Sequence, residues 1–406
     1  EAMVSSMSEQ MDDMPDSILE QAAVSYVRSA YKNLGMDMDH IQTTYLLVTG
    51  GKMTALALLG IPYELVFFSE IDNSAIRSYC SIHGENRAKN LGDLSRIDYG
   101  KLPKDIDLIV GGTPCQDFSV SGLGKGGEEG SGTRSSLMWY YVKLIAQTKP
   151  KIVVWENVAA VLNCKHYMTY RKFYLTLNNL GYKVNAGVLN AKYFNLPQNR
   201  VRIFVVAVRK DTDIHFTYPR GYDSGVRIRH ELSNNIPDKY FAKSYEDIAP
   251  YNRQFLSTHN IMPVGRIKDA KFKQTNEALS IDGIFDCLTT KQGNWIVDDR
   301  IPREKPIRHL IPQESLRFMG FEDKDFYKCR YRYEKKGSKK IRHDNVPDGE
   351  IYIQAGNSIA VNVLMALFGQ LYGVPWQDKV FKERKKTEEE LLHELPLFAY
   401  MRDKAA

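Results

Sequence analysis

Apolar residues follow two alternating patterns along the first half of the chain. Short apolar runs that predict strands, such as residues 45–48 and 65–68, alternate with stretches that predict helices, such as residues 53–59. Strands that alternate with helices are typical of a parallel sheet with helices on both faces. From residue 44 onward we therefore predict an α/β protein with a doubly wound sheet.

One apolar strand ends in a Pro-Cys pair. Residues 107–110 are followed by Gly111, Gly112, Thr113, Pro114 and Cys115, so the strand is predicted to be buried and to present a thiol at its carboxyl end. Open α/β sheets carry their reactive groups at that edge. Cys115 is thus a candidate nucleophile, although a single cysteine after an apolar strand is more often a small buried hydrophobic residue.

Charged side chains at the ends of other strands are predicted to reach the same edge. Glu70 follows the second strand, and Glu156 follows the apolar run 151–155. Arg200 and Arg202 flank the start of an apolar strand and, being two residues apart, are predicted to point to one face. Buried arginines need an anionic partner, and Glu156 is the predicted one.

Residues 119–136 are rich in glycine and serine, which predicts a mobile loop that begins shortly after Cys115. Loops of this length inside a compact domain are usually functional lids or disordered links. The position next to a candidate nucleophile favours a lid that closes over the site.

The pattern divides the chain into segments of different character. Residues 1–43 are predicted to be a helical extension, and residues 44–209 the catalytic domain. Residues 210–350 are irregular, aromatic and basic, which predicts a separate small domain with short strands, followed by a hinge. Residues 351–373 return to the first domain, and residues 374–406 form a surface helix or tail.

Composition narrows the class of protein. With 406 residues, 43% of them hydrophobic, the chain can form a large core, and it contains no apolar run that predicts a membrane span. The five cysteines lack the paired spacing of zinc sites or disulfide frameworks, which favours a reducing cytoplasm, a nucleoid or a nucleus, with no metal. The net charge of +6 allows a polyanionic partner.

Residues 328–343 interleave cations with tyrosines, which suits phosphates and exposed bases but also a solvated hairpin tip.

The order of four short motifs resembles the DNA (cytosine-5)-methyltransferase family. These motifs are Pro114-Cys115-Gln116, Glu156-Asn157-Val158, Gln198 with Arg200 and Arg202, and Gly356-Asn357-Ser358. Each is short, but their order around a variable insert is specific, and the resemblance covers residues 44–372. It implies a Rossmann-like methyltransferase domain with a smaller, mostly β target recognition domain. It also implies a monomeric enzyme with S-adenosylmethionine as cofactor and double-stranded DNA as partner.

The resemblance also assigns roles to residues. Cys115 would add to C6 of cytosine so that C5 can attack a methyl sulfonium, while Glu156 would act at N3 and Arg202 at O2. The target nucleotide must leave the duplex to reach these groups. The implied cofactor-binding residues are Gly50, Gly51, Glu70, Asp93, Pro114 and Asn357. The implied DNA-binding residues are Gln116, Ser119, Ser121, Arg134 and Arg200, of which Arg200 has loop support as its alternative role.

The first motif departs from the family pattern. The pattern Asp-Leu-Phe-x-Gly-x-Gly-Gly aligns with residues 44–51, where Leu46 replaces an aromatic residue and Val48 replaces a glycine. A β-branched side chain at this position would crowd the cofactor or change the turn. The chain therefore either binds the cofactor in a modified way, or has lost it and binds DNA or another partner without catalysis. A third interpretation is methylation of an RNA cytosine by the same chemistry.

Overall fold

The computed structural model describes residues 41–46, 51–104, 106–114, 118, 127–131, 133–243, 247–251, 260–268, 276–336, 339–344 and 346–381. The helix predicted in the extension 1–43 and the surface helix predicted near the end of the chain lie outside these residues.

A six-stranded sheet forms the centre of the structure. Its strands, numbered in chain order, are β1 (Ile41–Leu46), β2 (Tyr63–Ser69), β3 (Leu108–Gly112), β4 (Ile152–Val158), β5 (Tyr182–Asn190) and β6 (Val201–Arg209). Their spatial order is β2-β1-β3-β4-β6-β5. Strands β1 to β4 are parallel, and β6 runs antiparallel to both of its neighbours. The predicted catalytic domain therefore contains the expected sheet, but its first strand begins at Ile41, inside the segment predicted as an extension.

Helices pack around the strands. Numbered in chain order, they are α1 (Gly51–Leu59), α2 (Asn73–His83), α3 (Leu137–Thr148), α4 (Cys164–Asn179), α5 (Pro312–Arg317), α6 (Asp323–Arg330), α7 (Asp348–Asn357), α8 (Val361–Tyr372) and α9 (Gln377–Val380). The ends of α2 show how local chemistry sets these bounds. The Asp72 side chain accepts a hydrogen bond from the Ala75 N–H at 2.7 Å, and Gly84 ends the helix with a φ of 69°.

The central strands are buried on both faces. Ile109 and Val153 belong to a hydrophobic cluster with residues of α3 and α4, whereas Val110 and Val154 belong to a cluster with residues of α1, α2 and α8. Alternation along a strand sends successive side chains to opposite faces. Because both faces meet helices, the strands are continuous apolar runs, as the sequence pattern predicts.

A second sheet lies within residues 210–350. Its strands are β7 (Ile248–Pro250), β8 (Pro263–Ile267), β9 (Glu277–Ser280), β10 (Trp295–Val297) and β11 (Ile307–Arg308). They pair in the order β11-β10-β9-β8-β7. Leu279 and Ile296 are buried in the same cluster as Val110 and Val154. The small sheet therefore shares a core with the large one instead of packing as an independent unit.

The basic segment 328–343 contains the end of α6 and a β-hairpin. The hairpin strands are β12 (Tyr331–Lys336) and β13 (Lys339–Asp344), which pair antiparallel. This backbone agrees with the hairpin interpretation of the segment. Binding of phosphates by its cations stays a prediction.

The helices α7 and α8 lie in the core. Among the described residues, the stretch Asp348–Tyr372 is long and apolar enough to cross a membrane by composition, but 83% of its apolar window is buried inside the structure. Burial among the other elements accounts for its apolar character.

Candidate active site

Three strands bring their ends to one edge of the six-stranded sheet. Strands β3 and β4 are parallel and in register, so Gly112 lies opposite Glu156. Strand β6 runs the other way, and its first residues reach the same edge, where Arg202 lies opposite Val158. The reversal of β6 is therefore what carries Arg202 to the carboxyl ends of the parallel strands.

Glu156 and Arg202 form an ion pair at this edge. The distance from Arg202 Nε to Glu156 Oε1 is 3.1 Å, and the two side chains are 16% and 12% exposed, for Arg202 and Glu156 respectively. The predicted pairing of these two residues is confirmed. Gly112 makes room for the carboxylate, because a Cβ at that position would lie 3.0 Å from Glu156 Oε2.

Side chains from neighbouring elements hold the turn at the end of β3. Trp155 Nε1 donates to Thr113 Oγ1 at 3.1 Å, and Asn157 Nδ2 donates to the Thr113 carbonyl oxygen at 3.1 Å. Ser135 Oγ donates to the Pro114 carbonyl oxygen at 2.8 Å. Thr113 and Pro114, the two residues after β3, are thus held by three hydrogen bonds. The sequence predicts no such role for Asn157, although this residue belongs to one of the four motifs.

Several predicted site residues lie outside the described part of the chain, namely Gly50, Cys115, Gln116, Ser119 and Ser121. Arg134 begins a short 3-10 turn, Arg134–Ser136, whose backbone is described. Gly51 is the first residue of α1, and Asn357 is the exposed last residue of α7. The predicted roles of all these residues stay predictions.

Arg200 supports loops instead of facing DNA. Its side chain is buried, with the residue 3% exposed, and its Nη1 donates to the Leu288 carbonyl oxygen at 3.1 Å. Its Nη2 donates to the carbonyl oxygens of Gly356 and Ser358, both at 2.8 Å. Burial, and then the charge of Arg202, lower the pKa of the Arg200 guanidinium. The predicted DNA contact of Arg200 is therefore corrected to loop support, because a buried guanidinium bonded to three carbonyls cannot meet a phosphate.

Gln198 and Gly356 join the same loops. Gln198 is fully buried, donates through Nε2 to the Phe318 carbonyl oxygen, and accepts from the Leu288 N–H at 3.3 Å. A Cβ on Gly356 would lie 2.2 Å from the Thr289 carbonyl oxygen, so only glycine allows this close approach. The motif residues therefore fasten residues 286–290 and the end of α7 to the start of β6.

Comparison with known proteins decides which family this arrangement belongs to. A family model described as C-5 cytosine-specific DNA methylase matches residues 47–373. The Type II methyltransferase M2.ScrFI of Lactococcus lactis subsp. cremoris is 30% identical over 377 residues, which cover 80% of this chain and 96% of that protein.

The chain belongs to the C-5 cytosine-specific DNA methylase family. The orphan methyltransferase M.Rho11sI of Bacillus phage rho11s is 44% identical over 284 residues, which cover 60% of this chain and 56% of the phage protein. Among solved structures, the Entamoeba histolytica methyltransferase EhMeth has the same fold, with a TM-score of 0.60 and 17% identity over 82% of this chain and 98% of that one. The predicted Rossmann-like methyltransferase fold is confirmed.

A C-5 cytosine-specific DNA methylase uses S-adenosylmethionine. The carboxylates of Glu70 and Asp93, near the end of β2, suit this cofactor. Glu70, at the end of β2, is buried, and its Oε1 accepts from the N–H groups of Ile71 and Asp72 at 2.7 and 2.8 Å. Asp93 Oδ1 accepts from the Ser95 hydroxyl and N–H at 2.7 and 2.9 Å, and these bonds lower its pKa. Two fixed carboxylates are acceptors, and the ribose hydroxyls and adenine amino group are donors, so the residues fit the group.

The side chains of the described residues can also be searched for a metal site. No group of three or more His, Cys, Asp or Glu side chains among them is placed to hold an ion. Among the described residues of the candidate site, Glu70, Asp93, Glu156 and Arg202 are engaged in the hydrogen bonds and the ion pair given above.

Proposed function

We propose that this chain transfers a methyl group from S-adenosylmethionine to C5 of a cytosine that has been flipped out of duplex DNA. The observation that carries the proposal is the largely buried Glu156–Arg202 ion pair, at 3.1 Å, which lies at the same sheet edge as the end of β3, the strand that precedes Cys115 in the sequence. Family membership supports the reaction type, and the pair supplies an acid and a cation where the reacting base would lie.

The proposed reaction begins with the thiolate of Cys115. Its sulfur forms a bond to C6, and the electron pair of the C5–C6 double bond moves through the ring toward N3. Glu156 provides a proton or a strong hydrogen bond at N3, and Arg202 donates to O2, so the charge that develops on the ring meets fixed groups.

S-adenosylmethionine supplies the methyl group as a sulfonium. Methyl transfer to C5 would release S-adenosylhomocysteine. A base would then remove the C5 proton, the freed electron pair would re-form the C5–C6 double bond and expel the Cys115 sulfur from C6, and any proton at N3 would return to Glu156. The thiolate is regenerated and the product is 5-methylcytosine. We propose that Glu70 binds the ribose hydroxyls and that Asp93 binds the adenine amino group. Gly50, Gly51, Pro114 and Asn357 would line the rest of the cofactor site.

DNA would approach the edge that bears Glu156 and Arg202. A stacked and paired base cannot reach groups that are this deeply buried, so the nucleotide has to be extruded. Gln116, Ser119, Ser121 and Arg134 lie in or beside the glycine-rich segment and are the proposed DNA contacts. The chain would act in the cytoplasm as a monomer.

The test is the appearance of 5-methylcytosine in DNA. Bisulfite sequencing of DNA from cells that express the protein should reveal protected cytosines in a recurring sequence context, and cells expressing Cys115→Ser should show none. Wild-type cells without protected cytosines, together with no binding of S-adenosylmethionine by calorimetry, would contradict the enzymatic proposal. Cofactor binding with methylation of RNA alone would favour an RNA substrate.

A further inference from the structure

A second thiol lies beside the catalytic pair. Cys287 Sγ is 3.4 Å from Arg200 Nη1 and 3.5 Å from Arg202 Nη2, so one sulfur contacts both guanidinium groups. Cys287 belongs to the segment 286–290, which is far from β6 in sequence and is held against it by Gln198 and Arg200. The sulfur therefore joins a segment next to the small sheet to the candidate active site.

The charges around Cys287 explain why a sulfur suits this place. Arg200 and Arg202 bring two positive charges close together in a largely buried region, where Glu156 pairs with Arg202 at Nε and Asp286 lies next to Cys287. Uncompensated charge in such a region is costly. Burial acts to raise the pKa of the Cys287 thiol, but the charges of Arg200 and Arg202 outweigh burial and the neighbouring Asp286, so its pKa is lowered.

The contacts of Arg202 show what this sulfur does for the pair. Arg202 Nε faces Glu156, Nη1 donates to the Val201 carbonyl oxygen at 2.8 Å, and Nη2 points to the sulfur. A planar guanidinium that is held at three corners has one orientation. Without Cys287 the Nη2 group loses its contact to the sulfur, and the guanidinium plane is held less firmly.

We propose that Cys287 is a positioning residue that bridges Arg200 and Arg202 and holds the Arg202 guanidinium in the plane that serves Glu156 and the substrate. The proposal rests on the proposed function, because Arg202 is taken there to contact the cytosine. On this proposal, the active site is complete only when the segment 286–290 packs against the start of β6 and brings Cys287 to Arg202. Small displacements of a catalytic group reduce turnover strongly, which makes the effect measurable.

Two substitutions at Cys287 distinguish a loss of Arg202 orientation from a general loss of protein stability. Cys287→Ala removes the acceptor and is expected to lower kcat about 10- to 100-fold. The KM for S-adenosylmethionine should be nearly unchanged, because three strands separate β2, which leads into Glu70, from β6. Cys287→Ser keeps an acceptor for both guanidiniums and should restore most of kcat. The exposed thiol of Cys164 offers the matched control, since Cys164→Ala removes a sulfur that contacts neither arginine.

A second readout does not depend on methyl transfer. Hydrogen exchange of the Arg202 Nε–H, followed by NMR with Arg202→Lys to assign the signal, should be several-fold faster in Cys287→Ala than in the wild type or Cys287→Ser. If the wild type proves inactive, this exchange still decides the positioning role. Turnover of Cys287→Ala within twofold of the wild type, or equal losses in Cys287→Ala and Cys287→Ser that track a loss of stability in urea, would overturn the proposal.

Discussion

Replacing Glu156 with glutamine is expected to lower kcat on the order of 10²–10⁴-fold, the usual contribution of a positioned general acid or base. Glutamine retains an oxygen that can accept from Arg202 Nε, so the ion-pair geometry of 3.1 Å becomes a hydrogen bond and the fold survives. The amide cannot give up a proton to N3, so the negative charge that develops on the cytosine ring is less well stabilised.

Single-turnover methylation of a duplex by Glu156→Gln, with tritiated S-adenosylmethionine, measures this loss. Glu64→Gln is the matched control, because Glu64 is an exposed glutamate near the opposite end of β2, away from the carboxyl edge. Calorimetry should show unchanged cofactor affinity in both variants. A rate for Glu156→Gln within fivefold of the wild type would show that Glu156 does not act on the base.

Arg308→Ala is expected to destabilise the protein by about 3–5 kcal/mol, because it takes the paired cation from the buried Glu314 and leaves the buried Asp298 with Arg300 alone of its two paired cations. Arg308, Asp298 and Glu314 have fully buried side chains. Arg308 Nη2 lies 2.8 Å from Asp298 Oδ2, and Nη1 lies 2.8 Å from Glu314 Oε2. Glu314 also accepts from the N–H of Ile311 at 2.9 Å, so the cluster ties β11 to the start of α5.

Urea unfolding followed by circular dichroism measures this change in the free energy of unfolding. Lys101→Ala serves as the control, since the Lys101 side chain is 86% exposed and pairs with the exposed Asp98, and exposed pairs contribute about 0–1 kcal/mol. A difference between the two variants of less than about 1 kcal/mol would contradict a structural role for the buried cluster.

The sequence predicts those parts of the site that follow from strand geometry. Glu156 follows an apolar run and Arg202 begins one, so both are predicted near strand ends, whereas their meeting at one edge depends on the antiparallel direction of β6. Alternation also puts Arg200 and Arg202 on a common side, in agreement with their shared contact to Cys287. These inferences need only the local pattern of apolar and polar residues.

The remaining contacts depend on segments that are remote in sequence. The role of Arg200 is set by carbonyls of Leu288, Gly356 and Ser358, which arrive from two later loops and cover its side chain. Nothing in the local pattern around Arg200 distinguishes a guanidinium that meets carbonyls from one that meets phosphates. The local pattern also fails to identify the partners of Arg308 and Cys287, because these partners are brought into contact only by the tertiary fold.

Covalent trapping tests the central claim most directly. A duplex with 5-fluorocytosine at the methylated position cannot lose a C5 proton after methyl transfer, so the bond between the sulfur and C6 should persist. With S-adenosylmethionine present, the wild-type protein should form an adduct that survives denaturing electrophoresis, and Cys115→Ser should form none. No adduct from wild-type protein that binds both the duplex and the cofactor, or an equal adduct from Cys115→Ser, would contradict the account.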